Sequence, residues 1–399
     1  MSRFPAEIIE QFILHINEDE GRINNLHSCS LVSQTWGTIS QRFLFSQVTL
    51  NGPRKAQSLA VILSKSPHIQ GYIHHLVITN EYNLATIITI LSTLSSLKSL
   101  QLRVHRRYAP TSLARELCQH HIPSSSTLTS LQLSNLIDFP VQFLFRWASL
   151  RHLSLKYVTF STSDSAGDAK VIDSPLGGQF ALKSLILWTS RTGGDSWLIS
   201  PHCPFDFSQL DRFIGLDRSD MDSSYEAHCK FISRVSSSLK TVLIVPPKSS
   251  RMAGFGNPLG LLEPQKLWHI SSVTISIFQH LGEGVNTLPW LVAFLSGLPN
   301  RETLHDLTLL CDLWGPPTGS SHLGDWCEID ALLARFHNLQ RVHLKCYDEG
   351  DDNRTEICSR WLLSQFPKLN EKRILSIKFS DDQWFGEIVG RELKREFLD

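Results

Sequence analysis

Leu97-Lys-Ser-Leu100-Gln-Leu102, Leu128-Thr-Ser-Leu131-Gln-Leu133, Leu150-Arg-His-Leu153-Ser-Leu155 and Leu182-Lys-Ser-Leu185-Ile-Leu187 are four copies of one six-residue frame, apolar-x-x-apolar-x-apolar. The frame extends in both directions. Ile73-His-His-Leu76-Val-Ile78 precedes it, and a degenerate copy runs from Leu210 through Phe213. Leu239-Lys-Thr-Val242-Leu-Ile244, Ile270-Ser-Ser-Val273-Thr-Ile275, Leu304-His-Asp-Leu307-Thr-Leu309 and Leu339-Gln-Arg-Val342-His-Leu344 follow, and a weak copy ends at Leu375-Ser-Ile377. Starts from 73 to 339 are separated by 24, 31, 22, 32, 28, 29, 31, 34 and 35 residues. The last three frame positions alternate apolar, variable, apolar, the period of a strand with one buried face. Between frames lie helical stripes: Leu59, Ile62 and Leu63; Leu84, Ile87, Ile88 and Leu91; Ile329, Leu332, Leu333 and Phe336.

A strand, a helix and a like strand require a crossover, which makes neighbouring strands parallel. One such unit cannot bury its apolar face alone, whereas stacked units share a continuous core. One or two copies could arise by chance in any leucine-rich α/β chain; ten in succession point to stacking. The expected fold class is therefore α/β with a parallel sheet built from repeated units. The Gly-, Pro- and Ser-rich stretches 161–178, 246–264 and 315–324 read as surface insertions.

The chain has 399 residues, 42% hydrophobic and 19% charged, enough apolar material for a large core. Its 38 basic residues balance 38 acidic ones, so the positive field of a dedicated nucleic-acid binder is missing and no nucleic-acid partner is expected. Eight cysteines are scattered with no Cys-x-x-Cys pair, the usage of buried thiols in a reducing compartment. Glu7 and Glu10 interrupt the opening apolar stretch, unlike a secretory signal. The most apolar window, Leu84 to Leu100, is broken by Ser, Thr and Lys98 and does not suit a bilayer. These features lead us to expect a soluble protein of the cytoplasm and/or nucleus with no membrane partner.

Candidate chemistry is sparse. No P-loop, His-Glu-x-x-His, Gly-x-Ser-x-Gly or EF-hand spacing occurs. Gly254-Phe-Gly256-Asn-Pro-Leu-Gly260 is one residue too long for a dinucleotide fingerprint. Cys118, His120 and His121 lack a second ligand pair at metal spacing, and the acidic run Asp348 to Asp352 reads as a solvated loop. Asn353-Arg-Thr355 is a glycosylation sequon by pattern only. No catalytic residue, metal or cofactor is expected.

Residues 4–48 fall outside the frame. Pro5 suits a first helical turn, Glu7 and Glu10 suit its positive dipole end, and Ile8, Ile9, Phe12, Ile13 and Ile16 trace an apolar face. A second short helix is expected through Leu26, Cys29, Leu31 and Val32, and a third through Trp36, Ile39, Phe43 and Leu44. Gln47 to Leu50 then turn extended.

Phe4-Pro-Ala-Glu7-Ile8-Ile9 resembles the F-box opening Leu-Pro-x-Glu, with Phe4 in place of the usual Leu. Cys29-Ser-Leu31-Val32-Ser-Gln-Thr-Trp36, followed by Arg42-Phe-Leu44-Phe45, is similar to the second half of that module in fungal F-box proteins. The downstream frames resemble irregular leucine-rich repeats, although only Asn135 comes near the family's Asn, one place early. The resemblance implies an F-box-like helical module over 1–48 and a leucine-rich-repeat-like solenoid, the substrate-binding domain, over 49–399. It implies a non-enzymatic substrate-recognition subunit of a Skp–cullin–F-box ubiquitin ligase, whose partners are a Skp-type adaptor with its cullin complex and an unknown protein substrate. Phe4, Pro5, Glu7, Ile8, Ile9, Phe12, Leu31, Val32, Trp36 and Leu44 would form the adaptor-binding surface. The alternatives are a plain three-helix cap on the array and, for the whole chain, an interaction scaffold outside any ligase. In either case the outward strand positions are the expected binding face, with Arg103, Gln132, His152, Lys156, Trp188, Arg341 and His343 as candidates; Trp188 could equally be an aromatic packed beside its neighbouring strand.

Overall fold

The computed structural model describes residues 4–17, 21–79, 84–104, 127–137, 139, 144, 147–160, 180–189, 203, 205–217, 222–246, 259, 262–280, 285–299, 301–314, 323–347 and 352–380. Most of the three expected insertions, the Cys118, His120 and His121 group, the Gly254–Gly260 loop apart from Leu259, and residues 348–351 of the acidic run lie outside them. The chain divides into two compact units, 1–180 and 181–399.

The first unit opens with three helices. α1 (Ala6–Asn17), α2 (Arg22–Ser30) and α3 (Gln34–Ser46) enclose a small core of Ile9, Ile13, Leu26 and Ile39, with Ile16, Trp36, Phe43 and Leu44 packed against it. α2 stops earlier than its apolar spacing suggests. Leu31 N–H donates to Ser28 O and Val32 N–H to Cys29 O, the tightened turn of a helix end, so both residues lie beyond it. Ser33 is extended and its hydroxyl accepts from Trp36 N–H, capping α3. Where α2 and α3 meet, a Cβ added to Gly37 would stand 3.0 Å from Ser30 O, so glycine permits the close approach.

α3 runs directly into β1 (Gln47–Asn51). Gly52, at φ 105, reverses the chain before Pro53 opens α4 (Pro53–Lys65). β2 (His75–Thr79), α5 (Leu84–Thr93), β3 (Ser99–Arg103), β4 (Ser130–Ser134) and β5 (His152–Lys156) follow. The strands pair in chain order and all in parallel, so Val48, Leu76, Leu100, Leu131 and Leu153 form one apolar ladder. Leu50, Ile78, Leu102, Leu133 and Leu155 form a second.

The second unit repeats the plan. Its strands Ser184–Thr189, Arg212–Asp217, Thr241–Ile244, Ser272–His280, Asp306–Trp314, Arg341–Tyr347 and Leu375–Ser380 are parallel and again follow chain order. Leu185, Phe213, Val242, Val273, Leu307, Val342 and Leu375 occupy one ladder. Helices Asp222–Val235, Leu288–Gly297, Leu323–Leu333 and Asp352–Gln365 lie between strands in the chain. The α/β class with parallel strands is what the frames imply.

Backbone geometry explains the first half of the frame. The carbonyl of its second residue accepts two successive N–H groups from the next unit. His74 O takes Lys98 N–H at 2.8 Å and Ser99 N–H at 3.0 Å, Lys98 O takes Thr129 and Ser130, and Thr129 O takes Arg151 and His152. Lys240, Ser271 and His305 do the same in the second unit. Because the repeated bonds run between main-chain atoms, those two positions accept many side chains, the Thr129 and Ser271 hydroxyls adding a bond to the same carbonyls of Lys98 and Lys240 at 3.2 Å, while the leading apolar residue is buried in every copy from Ile73 to Leu339. Asn135 adds a side-chain link: at φ 58 its amide donates to Val104 O of the preceding unit at 2.8 Å.

The degenerate copy has Gly215 where its neighbours carry Leu187 and, in the next strand, Ile244. His228, from helix Asp222–Val235, takes up the missing volume: a Cβ on Gly215 would stand 3.0 Å from His228 Nδ1 and 3.0 Å from Phe213 Cε1. Gly215→Ala should therefore destabilise by about 1–3 kcal/mol despite moving the residue towards the frame pattern. The urea midpoint measures it; an unchanged or higher midpoint would show that His228 yields freely.

Candidate docking surfaces

α1 carries two apolar stripes. Ile9, Ile13 and Ile16 turn inward to the small core, whereas Phe4, just before the helix, then Ile8 and Phe12 recur every four residues along another face. Phe4, Ile8 and Phe12 are 66%, 57% and 54% exposed, and Leu31 and Val32, in the turn before α3, are 76% and 64% exposed. Phe12 meets Trp36 edge-on with ring centroids 5.6 Å apart, which ties the outer stripe to the first turn of α3. Of thirteen large apolar side chains exposed among the described residues, seven lie within residues 4–32, the others being Leu14 and Ile23. Exposed apolar side chains are thus concentrated in this one stretch of the described chain and not scattered singly.

Pro5 and Glu7 are exposed beside this stripe. Ile9 is not on it: that side chain is spent on the helices' own core, because it lies one position from Ile8 on a 3.6-residue period and so faces elsewhere. Trp36 and Leu44 are half-buried against the same core and contribute edges.

The outward strand positions divide more sharply. Arg103 and Arg341 are exposed, and His152, Lys156 and His343 are half-buried. Gln132 is only 7% exposed, which corrects the expectation that it presents to solvent, and Trp188, at 3%, follows the packed one of its two expected readings and not the binding-face one. Ser134, Ser154, Ile186, Ile214, Leu243, Ser276 and Leu310 are buried as well, so much of this sheet is covered on both faces. The signal was present in the sequence: Leu185-Ile-Leu-Trp188 and Val242-Leu-Ile244 are apolar at consecutive positions, the pattern of a parallel strand buried on both sides.

No protein-family pattern matches the chain, and no curated protein is significantly similar to it. Its surfaces must be read from their own chemistry.

Burial pushes the Cys203 thiol up to about 11 and the Cys229 thiol up to about 12, so both stay protonated near neutral pH. Burial raises the Tyr225 hydroxyl too, and that oxygen accepts a 2.9 Å hydrogen bond from Trp290 Nε1–H. Of the seven described cysteines five are buried, Cys29 is half-buried and Cys327 is exposed. An open cleft of about 740 Å³ is lined by Arg301, Glu302, Arg335 and His337 among others, with no Ser, Cys or Tyr in its wall. No group of three or more potential metal ligands occurs among the described residues, and no described helix is long and apolar enough to cross a membrane. The sequon Asn353-Arg-Thr355 lies in helix Asp352–Gln365.

Proposed function

We propose that this chain is a non-catalytic substrate-recognition adaptor of a Skp–cullin–F-box type ubiquitin ligase, acting in the cytoplasm and/or nucleus. Its three-helix head is the F-box-like module, and the strand-and-helix units behind it are a leucine-rich-repeat-like array that holds a protein substrate. The observation that carries this reading is the second apolar stripe on α1. A helix that served only to cap the array would need one buried stripe, and Ile9, Ile13 and Ile16 already supply it. Phe4, Ile8, Leu31 and Val32 leave more than half of their surface to solvent, and so does Phe12 despite its edge contact with Trp36. Covering them on a partner would return on the order of 1–2 kcal/mol each before the cost of association.

The test is binding of the purified full chain to a Skp-type adaptor by calorimetry. Ile8→Asp combined with Phe12→Asp should weaken binding at least about 100-fold, because two charges would have to be desolvated at the interface centre. The variant should keep its helical circular dichroism, since the inner stripe is untouched. Leu363→Asp, at an exposed apolar position in the other unit, serves as the control and should bind normally. A folded wild-type chain that does not bind the adaptor would remove the ligase reading and leave an interaction scaffold.

A further inference from the structure

We infer that the outward face of α4 is a docking surface for a short segment of a partner protein, acidic at its two ends and apolar between them. This surface is separate from the α1 stripe and does not depend on adaptor binding.

α4 (Pro53–Lys65) buries Ala56, Leu59 and Leu63 against the first unit. On the opposite side Arg54, Ser58, Val61 and Lys65 recur at intervals of four, three and four residues, with Lys55 and Ile62 beside them. All six are exposed, Val61 by 45% and Ile62 by 37%. The stripe is basic at both ends and apolar in the middle.

Three observations separate this face from an ordinary solvated one. First, its cations lack local neutralisation. From Gly21 to Asn80 the sequence holds five Lys and Arg and no Asp or Glu. α4 packs on β1, α5 and the 3-10 helix Pro67–Tyr72, none of which carries a carboxylate. Among the described residues Arg54, Lys55 and Lys65 have no ion-pair partner. Second, Arg54 and Lys55 stand in the first turn, at the positive end of the helix dipole, where folding by itself favours acids. Third, Val61 and Ile62 leave an apolar step between the charged ends.

Charge complementarity then fixes the occupant. Arg54 and Lys65 are eleven residues apart, about 16 Å along the helix. Carboxylates about five residues apart on an extended chain span the same distance. The apolar step fits the side chains of such a segment and has no counterpart in a phosphate backbone. Helices that lie on anionic bilayers bury Trp, Phe or Leu, and this face has none.

The probe is fluorescein-labelled Glu-Glu-Leu-Ser-Leu-Glu-Glu, titrated with the full chain and followed by fluorescence anisotropy. It should bind, more weakly as salt is added. Gln-Gln-Leu-Ser-Leu-Gln-Gln and Glu-Glu-Ser-Ser-Ser-Glu-Glu should each bind at least about tenfold more weakly. Arg54→Glu with Lys65→Glu should also cost at least about tenfold while helical circular dichroism is kept. Arg54→Glu by itself places an acid at the positive helix end, so it should raise the melting temperature while lowering affinity. An arginine with a purely structural role would give a lower melting temperature and unchanged binding. Equal binding by wild type and double variant, no probe binding up to about 1 mM, or tighter binding of hexauridine or of phosphatidylserine vesicles would each overturn the inference. The variant Ile8→Asp with Phe12→Asp should bind the probe as the wild type does, so failure of the ligase reading and failure of this one are told apart on the same proteins.

Discussion

Phe213→Ala should lower the unfolding free energy of the 181–399 unit by about 3–5 kcal/mol, the largest single-residue loss we expect. Phe213 is fully buried in the middle of the apolar ladder, with Leu185 on one neighbouring strand and Val242 on the other. Its ring lies 5.0 Å from Phe231 and 5.7 Å from His228, and Phe231 in turn meets Phe207 edge-on at 4.9 Å. Truncation removes the ring's transfer energy and leaves a cavity between a sheet and helix Asp222–Val235, both held by other contacts and unable to close over it. Urea denaturation of the full chain, followed by near-ultraviolet circular dichroism, measures the change. A loss below about 1 kcal/mol would mean that this rung collapses freely, contrary to a close-packed ladder.

Asp330→Ala should cost about 2–4 kcal/mol. Asp330 is 2% exposed, and its two carboxylate oxygens accept from Lys368 N–H and Leu369 N–H, both at 3.0 Å. Those donors belong to the first turn of helix Pro367–Glu371, where no intrahelical acceptor exists, and Pro367 has no N–H to satisfy. Asp330 thus ties helix Leu323–Leu333 to a helix 38 residues later and holds the approach to the last strand. Alanine leaves two amide donors without their acceptor. Asp330→Asn keeps one acceptor oxygen and should fall between. Hydrogen exchange at Lys368 and Leu369 gives the local readout; unchanged protection in the alanine variant would contradict the cap.

Most of the α/β plan was legible before any coordinates. The alternation Leu100-Gln-Leu102 can satisfy a half-buried strand and little else, and its recurrence with helical stripes between forces parallel neighbours. The extent of α2 was not legible, because Leu31 and Val32 look apolar enough for a helix interior while the Ser33 cap of the next helix claims the chain first. The two stripes of α1 were visible as a run of isoleucines and phenylalanines, but sequence assigned them to one face. Only packing against Leu26 and Ile39 separates Ile9 from Ile8. Gln132 was misread for a different reason: Leu131-Gln-Leu133 alternates as an exposed position should, and alternation tells which face a residue is on, not whether that face is covered.

What the amino-acid order determined by itself is local and periodic: which residues turn towards a ladder, where strands begin, and that successive units lie side by side. Those follow from side-chain volume and the two-residue period of an extended backbone, which act over a few bonds. Tertiary structure decided which apolar residues remain on the surface, that His228 fills the place left by Gly215, and that Lys345 stands opposite Lys378. Each of these depends on groups more than a dozen residues apart meeting at contact distance, a relation that the register of the sheet creates.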